Sequence, residues 1–385
     1  MSKAIFTRLL RQELLESPKS VLLLGPRQTG KSTLIKSLEP DITFNLANEN
    51  EFLNFARNAE EITQRLAAGA YKTVFIDEIQ RLPGLLNTIQ SILDDDSNDY
   101  KFYLTGSSAR KLKRGQANLL PGRIFSYQLG PLVCSELDYR LDTNKALETG
   151  TLPGVYSEER EKYRTKTLRS YASTYLKEEI QAEALTRNLE GFSRFLYIAA
   201  GYSGQFLDLT KLSSEARITR QSGIRFFEIL EDTLIINRCS AFSKIDRKRL
   251  VKHPKFYFFD TGILNGLLSN FNVSADRKGL FFEHLVFNQL LSSAFANDVD
   301  IKVSTYRTSN GAEVDFIIEI GRELFAIEVK HSRNVGQSDL RGLANFGKYY
   351  QKPHRPMVLY MGDSPKVING IPVLPWQEGI NTIGF

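Results

Sequence analysis

Short, wholly apolar runs bounded by turn residues mark the first third of this chain: Leu22-Leu23-Leu24, Val74-Phe75-Ile76 and Phe102-Tyr103-Leu104. Consecutive apolar positions of this length read as buried strands. Helical spacing surrounds them. Met1 to Leu15 carries Ile5, Leu9, Leu10 and Leu14 on one face, and a second helical pattern begins at Leu34. From about Pro131 to Arg187 the pattern becomes largely helical, most clearly over Leu168–Ile180. Helices are then expected at Phe192–Ala200, Thr210–Ser214 and from Arg220 to about Thr233, followed by strands at Leu234–Ala241 and Lys255–Phe259. The last part reads as a helix around Leu280–Leu290, two alternating strands either side of Gly321-Arg322, a helix at Ser338–Tyr350 and a strand at Arg355–Tyr360. The expectation is an α/β chain in four parts: 1–135, 136–190, 191–260 and 261–385.

The first apolar run leads into Gly25-Pro26-Arg27-Gln28-Thr29-Gly30-Lys31-Ser32-Thr33, a Gly-x-x-x-x-Gly-Lys-Ser sequence between a strand and a helix. That is the P-loop signature in its structural context: glycines let the backbone close around phosphate, and successive N–H groups make an anion nest. Lys31 is placed to reach the β- and γ-phosphates of ATP, and Ser32 to hold Mg²⁺. The strand at Val74 ends in Asp77-Glu78. An acid at that end sits beside the P-loop, so Asp77 is expected in the Mg²⁺ shell and Glu78 as the base that polarises water. A further strand ends in Thr105-Gly106-Ser107-Ser108. Ser107, with Ser108 as the alternative, is expected to sense the γ-phosphate. Arg123, in Leu120-Pro121-Gly122-Arg123-Ile124, is a candidate to reach that phosphate in its own subunit or a neighbour's.

This set resembles the AAA-type P-loop ATPases, and more narrowly a prokaryotic AAA-family ATPase whose C-terminal half is a domain of unknown function. The resemblance extends over essentially the whole chain. It implies ATP and Mg²⁺ as cofactors and ATP hydrolysis as the reaction. Asparagine is the commoner sensor residue in such ATPases where this chain has serine.

Composition narrows the rest. With 42% hydrophobic and 24% charged residues the chain reads as globular, and no apolar run reaches the length of a bilayer span. Cys134 and Cys239 form no ligand pattern, which suits a cytoplasmic protein. The net charge of +6 permits an acidic partner. Basic residues cluster at Arg110, Lys111, Lys113 and Arg114, and again at Lys244, Arg247, Lys248, Arg249 and Lys252. The second cluster joins the two strands that follow three helices, which is a winged-helix order with a basic wing. Arg217, Arg220, Gln221 and Arg225 lie on or near its third helix.

The segment Gly311 to Lys330 predicts a hairpin turning at Gly321-Arg322. Opposed positions then sum to 643, which sets Asp315 against Glu328 and Glu313 against Lys330. Val314, Phe316 and Ile318 join Val329, Ile327 and Phe325 on an apolar face, and Asp315, Glu328 and Lys330 gather at one end of the other. Facing carboxylates repel by up to roughly 1 kcal/mol, a cost that a divalent cation would remove. Asp…Glu-x-Lys on a hairpin resembles the PD-(D/E)XK nuclease core. That resemblance implies Asp315 and Glu328 as metal ligands with Glu283 from the preceding helix, and Lys330 as the residue that orients water. The expected fold is therefore a P-loop sheet followed by a winged-helix module and a small nuclease-like domain. The expected function is an ATPase acting on or with double-stranded DNA. The alternative is a nucleotide-dependent switch that binds a protein partner through an inactive tail. A homo-oligomer follows if Arg123 acts in trans.

Overall fold

The computed structural model describes residues 6–58, 60–95, 97, 99–107, 120, 122–175, 188–242 and 253–385. The expected basic clusters at 110–114 and 244–252, Ser108 and the end of the helical stretch expected up to Ile180 lie outside the described residues. The described residues divide into two compact units, one of residues 6–130 with 232–234, the other of 131–231 and 235–385.

In the first unit α1 (Leu10–Glu16) precedes β1 (Ser20–Leu24), α2 (Lys31–Lys36), β2 (Ile42–Asn45), α3 (Glu49–Arg57), α4 (Glu61–Ala67), β3 (Thr73–Asp77), α5 (Leu85–Asp94), β4 (Lys101–Gly106) and β5 (Ile124–Gln128). The strands form one sheet in the order β2-β3-β4-β1-β5, every pairing parallel. Alternate residues of each apolar run enter opposite cores. Leu22, Leu24, Val74, Ile76, Phe102 and Leu104 pack with Phe44, Phe55 and Ile89. Val21, Leu23, Phe75 and Tyr103 pack with Leu10, Leu14, Leu34 and Ile35. Burial on both faces is why these strands read as continuous apolar runs. Beyond β1 and β3 lie the loop and the acids described below, at the carboxyl ends of a parallel sheet where ligands bind.

The second unit begins with α6 (Thr143–Thr149), α7 (Pro153–Tyr156), α8 (Glu161–Ser170), α9 (Leu189–Gly201), α10 (Leu209–Glu215) and α11 (Arg220–Asp232). Then come β6 (Ile236–Ala241), β7 (Lys255–Phe258), α12 (Thr261–Leu268), α13 (Ala275–Ala296), β8 (Ile301–Arg307), β9 (Glu313–Ile320) and β10 (Glu323–Lys330). The unit closes with α14 (Arg341–Tyr350), β11 (Arg355–Tyr360), β12 (Lys366–Ile368), β13 (Ile371–Pro375) and α15 (Trp376–Ile383). Asp208 caps α10 and Asp260 caps α12, each accepting two backbone N–H bonds from the first turn.

The expected division at 260/261 is not a structural boundary. β6 pairs antiparallel with β7 and parallel with β8, so one eight-stranded sheet runs β12-β13-β11-β10-β9-β8-β6-β7 across it. Three helices and two strands do follow in the expected order, but their strands are the end of the larger sheet.

The hairpin turns at Gly321 (φ +55), and Ile320 pairs with Glu323 down to Phe316 with Ile327, the expected register. Two details differ. A bulge between β8 and β9, where Ser304 faces Ile317 but Tyr306 faces Val314, gives β9 an extra residue. It turns Val314 into the core of Tyr306 and Ile317 and away from Phe316. The second face of the hairpin is also covered: Ile317, Leu324 and Ala326 pack under Leu343, Phe346 and Tyr350 of α14.

Candidate functional site

The chain leaves β1 at Gly25, where a Cβ would stand 2.3 Å from the Leu129 carbonyl oxygen. Only glycine lets the loop depart so close to the backbone beside it. Gln28 (φ +65) and Gly30 (φ +96) adopt left-handed backbone, the conformation from which N–H groups build an anion nest. The loop is braced from within and without. Thr29 Oγ1 donates to the Pro26 carbonyl at 2.9 Å. The buried Arg8 guanidinium donates to the carbonyls of Thr29 (2.6 Å) and Gly130 (2.9 Å). Lys31 Nζ reaches back along the loop to the carbonyls of Gly25 and Pro26, both at 2.8 Å.

Ser32, in the first turn of α2, donates its hydroxyl to Asp77 Oδ1 at 2.8 Å, which ties the loop to the end of β3. The same carboxylate oxygen accepts the hydroxyl of Thr105, from the neighbouring strand β4. Thr105 Oγ1 in turn accepts the Glu78 N–H at 3.2 Å. Glu78 itself holds left-handed backbone (φ +61), which is costly for a residue with a side chain. The Gln80 amide nitrogen donates to the Glu78 carboxylate and to Ser107 Oγ, the latter at 3.0 Å. Ser32, Asp77, Glu78 and Ser107 thus stand in one hydrogen-bonded set. Arg123 stands apart from that set, its guanidinium 2.6 Å from Asp94 in an exposed ion pair.

The second unit gathers a different set. Asp315 and Glu328 are both buried near the bulged end of the hairpin. Asp315 Oδ2 accepts the Val329 N–H at 2.8 Å, and Glu328 Oε1 lies 2.7 Å from Lys330 Nζ. Glu313 does not turn to Lys330 as the register alone suggests. Its carboxylate pairs with Lys255 Nζ at 2.8 Å and Arg307 at 3.6 Å. Lys255, on the edge strand β7 and 4% exposed, also meets Glu283 Oε1 at 2.9 Å, and Tyr257 donates to that oxygen at 2.6 Å. Burial, then the Glu328 and Glu283 carboxylates, hold Asp315 well above the usual carboxylate range. Burial pushes Glu328 up to about 7, against the pull of Lys330. Burial works against the charge of Lys255, but Glu283, Asp315 and Glu313 outweigh it and raise its pKa. Among the described residues no three His, Cys, Asp or Glu side chains converge to hold a metal ion. His284, next to Glu283, turns away and bonds the Phe258 carbonyl.

Comparison with known proteins bears on the domain that holds the first of these two sites. Residues 17–138 match the family described as AAA domain. This part of the chain is an AAA-type P-loop domain. Residues 140–274 match a domain of unknown function (DUF8612) and residues 278–378 another (DUF4143). The two lie in one compact unit and share its eight-stranded sheet. Uncharacterized proteins of Mycobacterium tuberculosis and Mycobacterium bovis are each 25% identical over 330 residues, covering 84% of this chain and 72% of theirs. Among solved structures, Pif1 helicase from Candida albicans aligns with TM-score 0.24 and 16% identity over 43% of this chain and 54% of its own. A signal transduction ATPase with numerous domains from Pyrococcus horikoshii, which carries a tetratricopeptide repeat sensor, aligns with TM-score 0.26 and 14% identity over 76% and 46%. The chain spans about half the length of each of these two structures. No helix among the described residues is long and apolar enough to cross a membrane.

Three residues of the AAA domain site escape a reading of motifs: Arg8, Gln80 and Thr105. Each is more than nine-tenths buried although polar. Thr105 carried a weak signal, a hydroxyl at the end of an apolar strand next to the acid-bearing one. Lys255 in the second unit carried none, being one more lysine beyond a basic segment.

Proposed function

We propose that the AAA domain binds ATP with Mg²⁺ and hydrolyses it, and that the second unit turns the nucleotide state into engagement of a partner. The bond between Ser32 Oγ and Asp77 Oδ1 carries this reading, because it brings the loop hydroxyl and the strand-end acid to one point. Two hydroxyls and a carboxylate there are the hard oxygen donors that Mg²⁺ takes, so the residues fit the ion. Bound Mg²⁺ would be held by Ser32, with Asp77 behind it, and would neutralise charge on the phosphates. Residues 25–33 wrap the phosphates and Lys31 turns its ammonium from the loop carbonyls to the β- and γ-oxygens. Glu78 accepts a proton from the attacking water, held in place by Gln80, while Ser107 contacts the γ-phosphate. Arg123 serves as the charge-stabilising arginine only if it leaves Asp94.

Duplex DNA is the partner favoured by the net charge and by the winged-helix order, with Arg217, Arg220, Gln221 and Arg225 exposed on or near α11. The resemblance of the hairpin to a nuclease core adds to this. A second reading, a nucleotide switch with a tail that binds but does not cut, is favoured by the lysine seated among the tail's acids.

The test is phosphate release with and without duplex DNA, alongside nucleotide binding, in wild type, Lys31→Ala and Glu78→Gln. Turnover is expected in wild type and lost in both variants, with ATP binding kept in Glu78→Gln and lost in Lys31→Ala. Full turnover in either variant refutes the assigned roles. ATP binding without turnover, unchanged by DNA, supports the switch.

A further inference from the structure

The metal site implied by the nuclease-like hairpin does not fit the residues as they stand. Its ligands would be Glu283, Asp315 and Glu328. Glu283 Oε1 already accepts from Lys255 Nζ at 2.9 Å and from Tyr257 at 2.6 Å. Glu313, the next acid along β9, gives Oε1 to the same lysine at 2.8 Å. Asp315 Oδ2 is taken by the Val329 N–H and Glu328 Oε1 by Lys330. What remains for a cation is a two-acid remnant that includes Glu328 Oε2, a buried oxygen with no hydrogen-bond partner. Mg²⁺ asks for a near-ideal octahedron of oxygens, and among the described residues no three acidic or imidazole side chains approach one.

We propose that Lys255 is the resident cation of this cluster, and that the chain by itself takes no divalent metal there. Its position explains why. β7 is the edge of the sheet, and Lys255 enters from that edge with its backbone bridged to Phe206 and its ammonium near the Phe206 ring. Arg307 lies over the same ring from the end of β8 and adds a second charge toward Glu313. Four acids (Glu283, Glu313, Asp315 and Glu328) therefore meet three bases (Lys255, Arg307 and Lys330) without an ion from solution. The lysine also belongs to the stretch 140–274, whereas its acids belong to 278–378. One family region supplies the counter-charge of the other, and the two are compensated as a pair. The hairpin's acids are left largely compensated from within the chain, four of them against three bases.

The experiment is Mn²⁺ binding to the nucleotide-free full chain, followed by electron paramagnetic resonance, together with plasmid nicking in Mn²⁺. It needs no ATP chemistry, so it stands apart from the fate of the ATPase reading. Wild type and Asp315→Asn are expected to bind the same number of Mn²⁺ ions and to leave plasmid supercoiled. Lys255→Met is expected to gain one ion per chain, lost again in the double variant with Asp315→Asn. A Mn²⁺ ion or a nicking activity present in wild type and absent in Asp315→Asn overturns the proposal. So does a folded Lys255→Met chain that gains no ion. If Lys255→Met does not fold, wild type against Asp315→Asn decides alone.

Discussion

Asp77 at the end of β3 and Glu283 on α13 are both shielded acids with two donors on one oxygen, but the donors differ. Asp77 receives the hydroxyls of Ser32 and Thr105. Glu283 receives an ammonium and a phenol. A hydroxyl brings no net charge, and it can turn its lone pair toward an incoming cation while the acid keeps its own. An ammonium brings a full charge and three donors and has no lone pair to offer. On the proposed function, the AAA domain acid is preorganised for a cation that comes and goes with nucleotide. The second unit's acids have their cation built into the chain. Residue types alone do not separate a site from a salt-bridged core; the partner does.

The hardest blow to this contrast comes from removing the built-in cation. Lys255→Met leaves the partly buried Glu283 and Glu313 with fewer partners; breaking a fully buried pair by deleting one member costs about 3–5 kcal/mol, so a loss toward the low end of that range is expected here. The urea midpoint of the second unit should fall accordingly. A change within about 0.5 kcal/mol would mean that the acids reach solvent and that the contrast is false.

Acid should act next, through the imidazole beside Glu283. Burial lowers the His284 pKa to about 4 from an ordinary value near 6.5. Between those values the unfolded chain binds the extra proton, so stability falls as pH drops from about 6.5 toward 4, by up to roughly 3 kcal/mol. Glu328 and Asp260, both raised by burial, slope the other way, the fold losing stability as pH rises from the ordinary carboxylate range toward 6 or 7. The difference in urea midpoint between wild type and His284→Leu across pH 4–7 isolates the imidazole. A difference independent of pH would show that it titrates normally.

Within the AAA domain, Thr105→Val keeps the shape and removes one hydroxyl from Asp77 and the acceptor for the Glu78 N–H. ATP turnover should fall roughly ten- to a hundredfold, the cost of one lost charge-assisted hydrogen bond, while Thr105→Ser restores most of it. Equal loss in both variants would assign Thr105 to packing alone. Smallest is Arg123→Ala. Its exposed pair with Asp94 is worth less than about 1 kcal/mol, so the melting temperature should hardly move. A clear drop in turnover at unchanged melting temperature would then bring Arg123 into the site from outside its present pairing.

Legibility in the sequence followed contiguity. Residues 25–33 announce themselves because one loop makes the whole nest, and Asp77 because it ends an apolar strand. The hairpin was legible because Gly321 sets a two-residue turn and the period of two carries Asp315 toward Glu328. What failed depended on neighbours distant in the chain. Thr105 meets Asp77 only because β3 and β4 are adjacent in the sheet. Lys255 meets Glu283 and Glu313 only because β6 and β7 join the end of the larger sheet. The bulge at Asp315, which turned Val314 to the other core, has no marker residue. The expected boundary at 260/261 rested on a change of pattern that the shared sheet does not respect.

Arg8 has a mechanical consequence. Its bonds to Thr29 and Gly130 clamp the backbone just ahead of α1 to the inside of the phosphate loop and to the exit of β5. A displacement of the backbone at Arg8 is therefore passed to Thr29, two residues before Lys31, so the segment leading into α1 and the phosphate loop move as one piece.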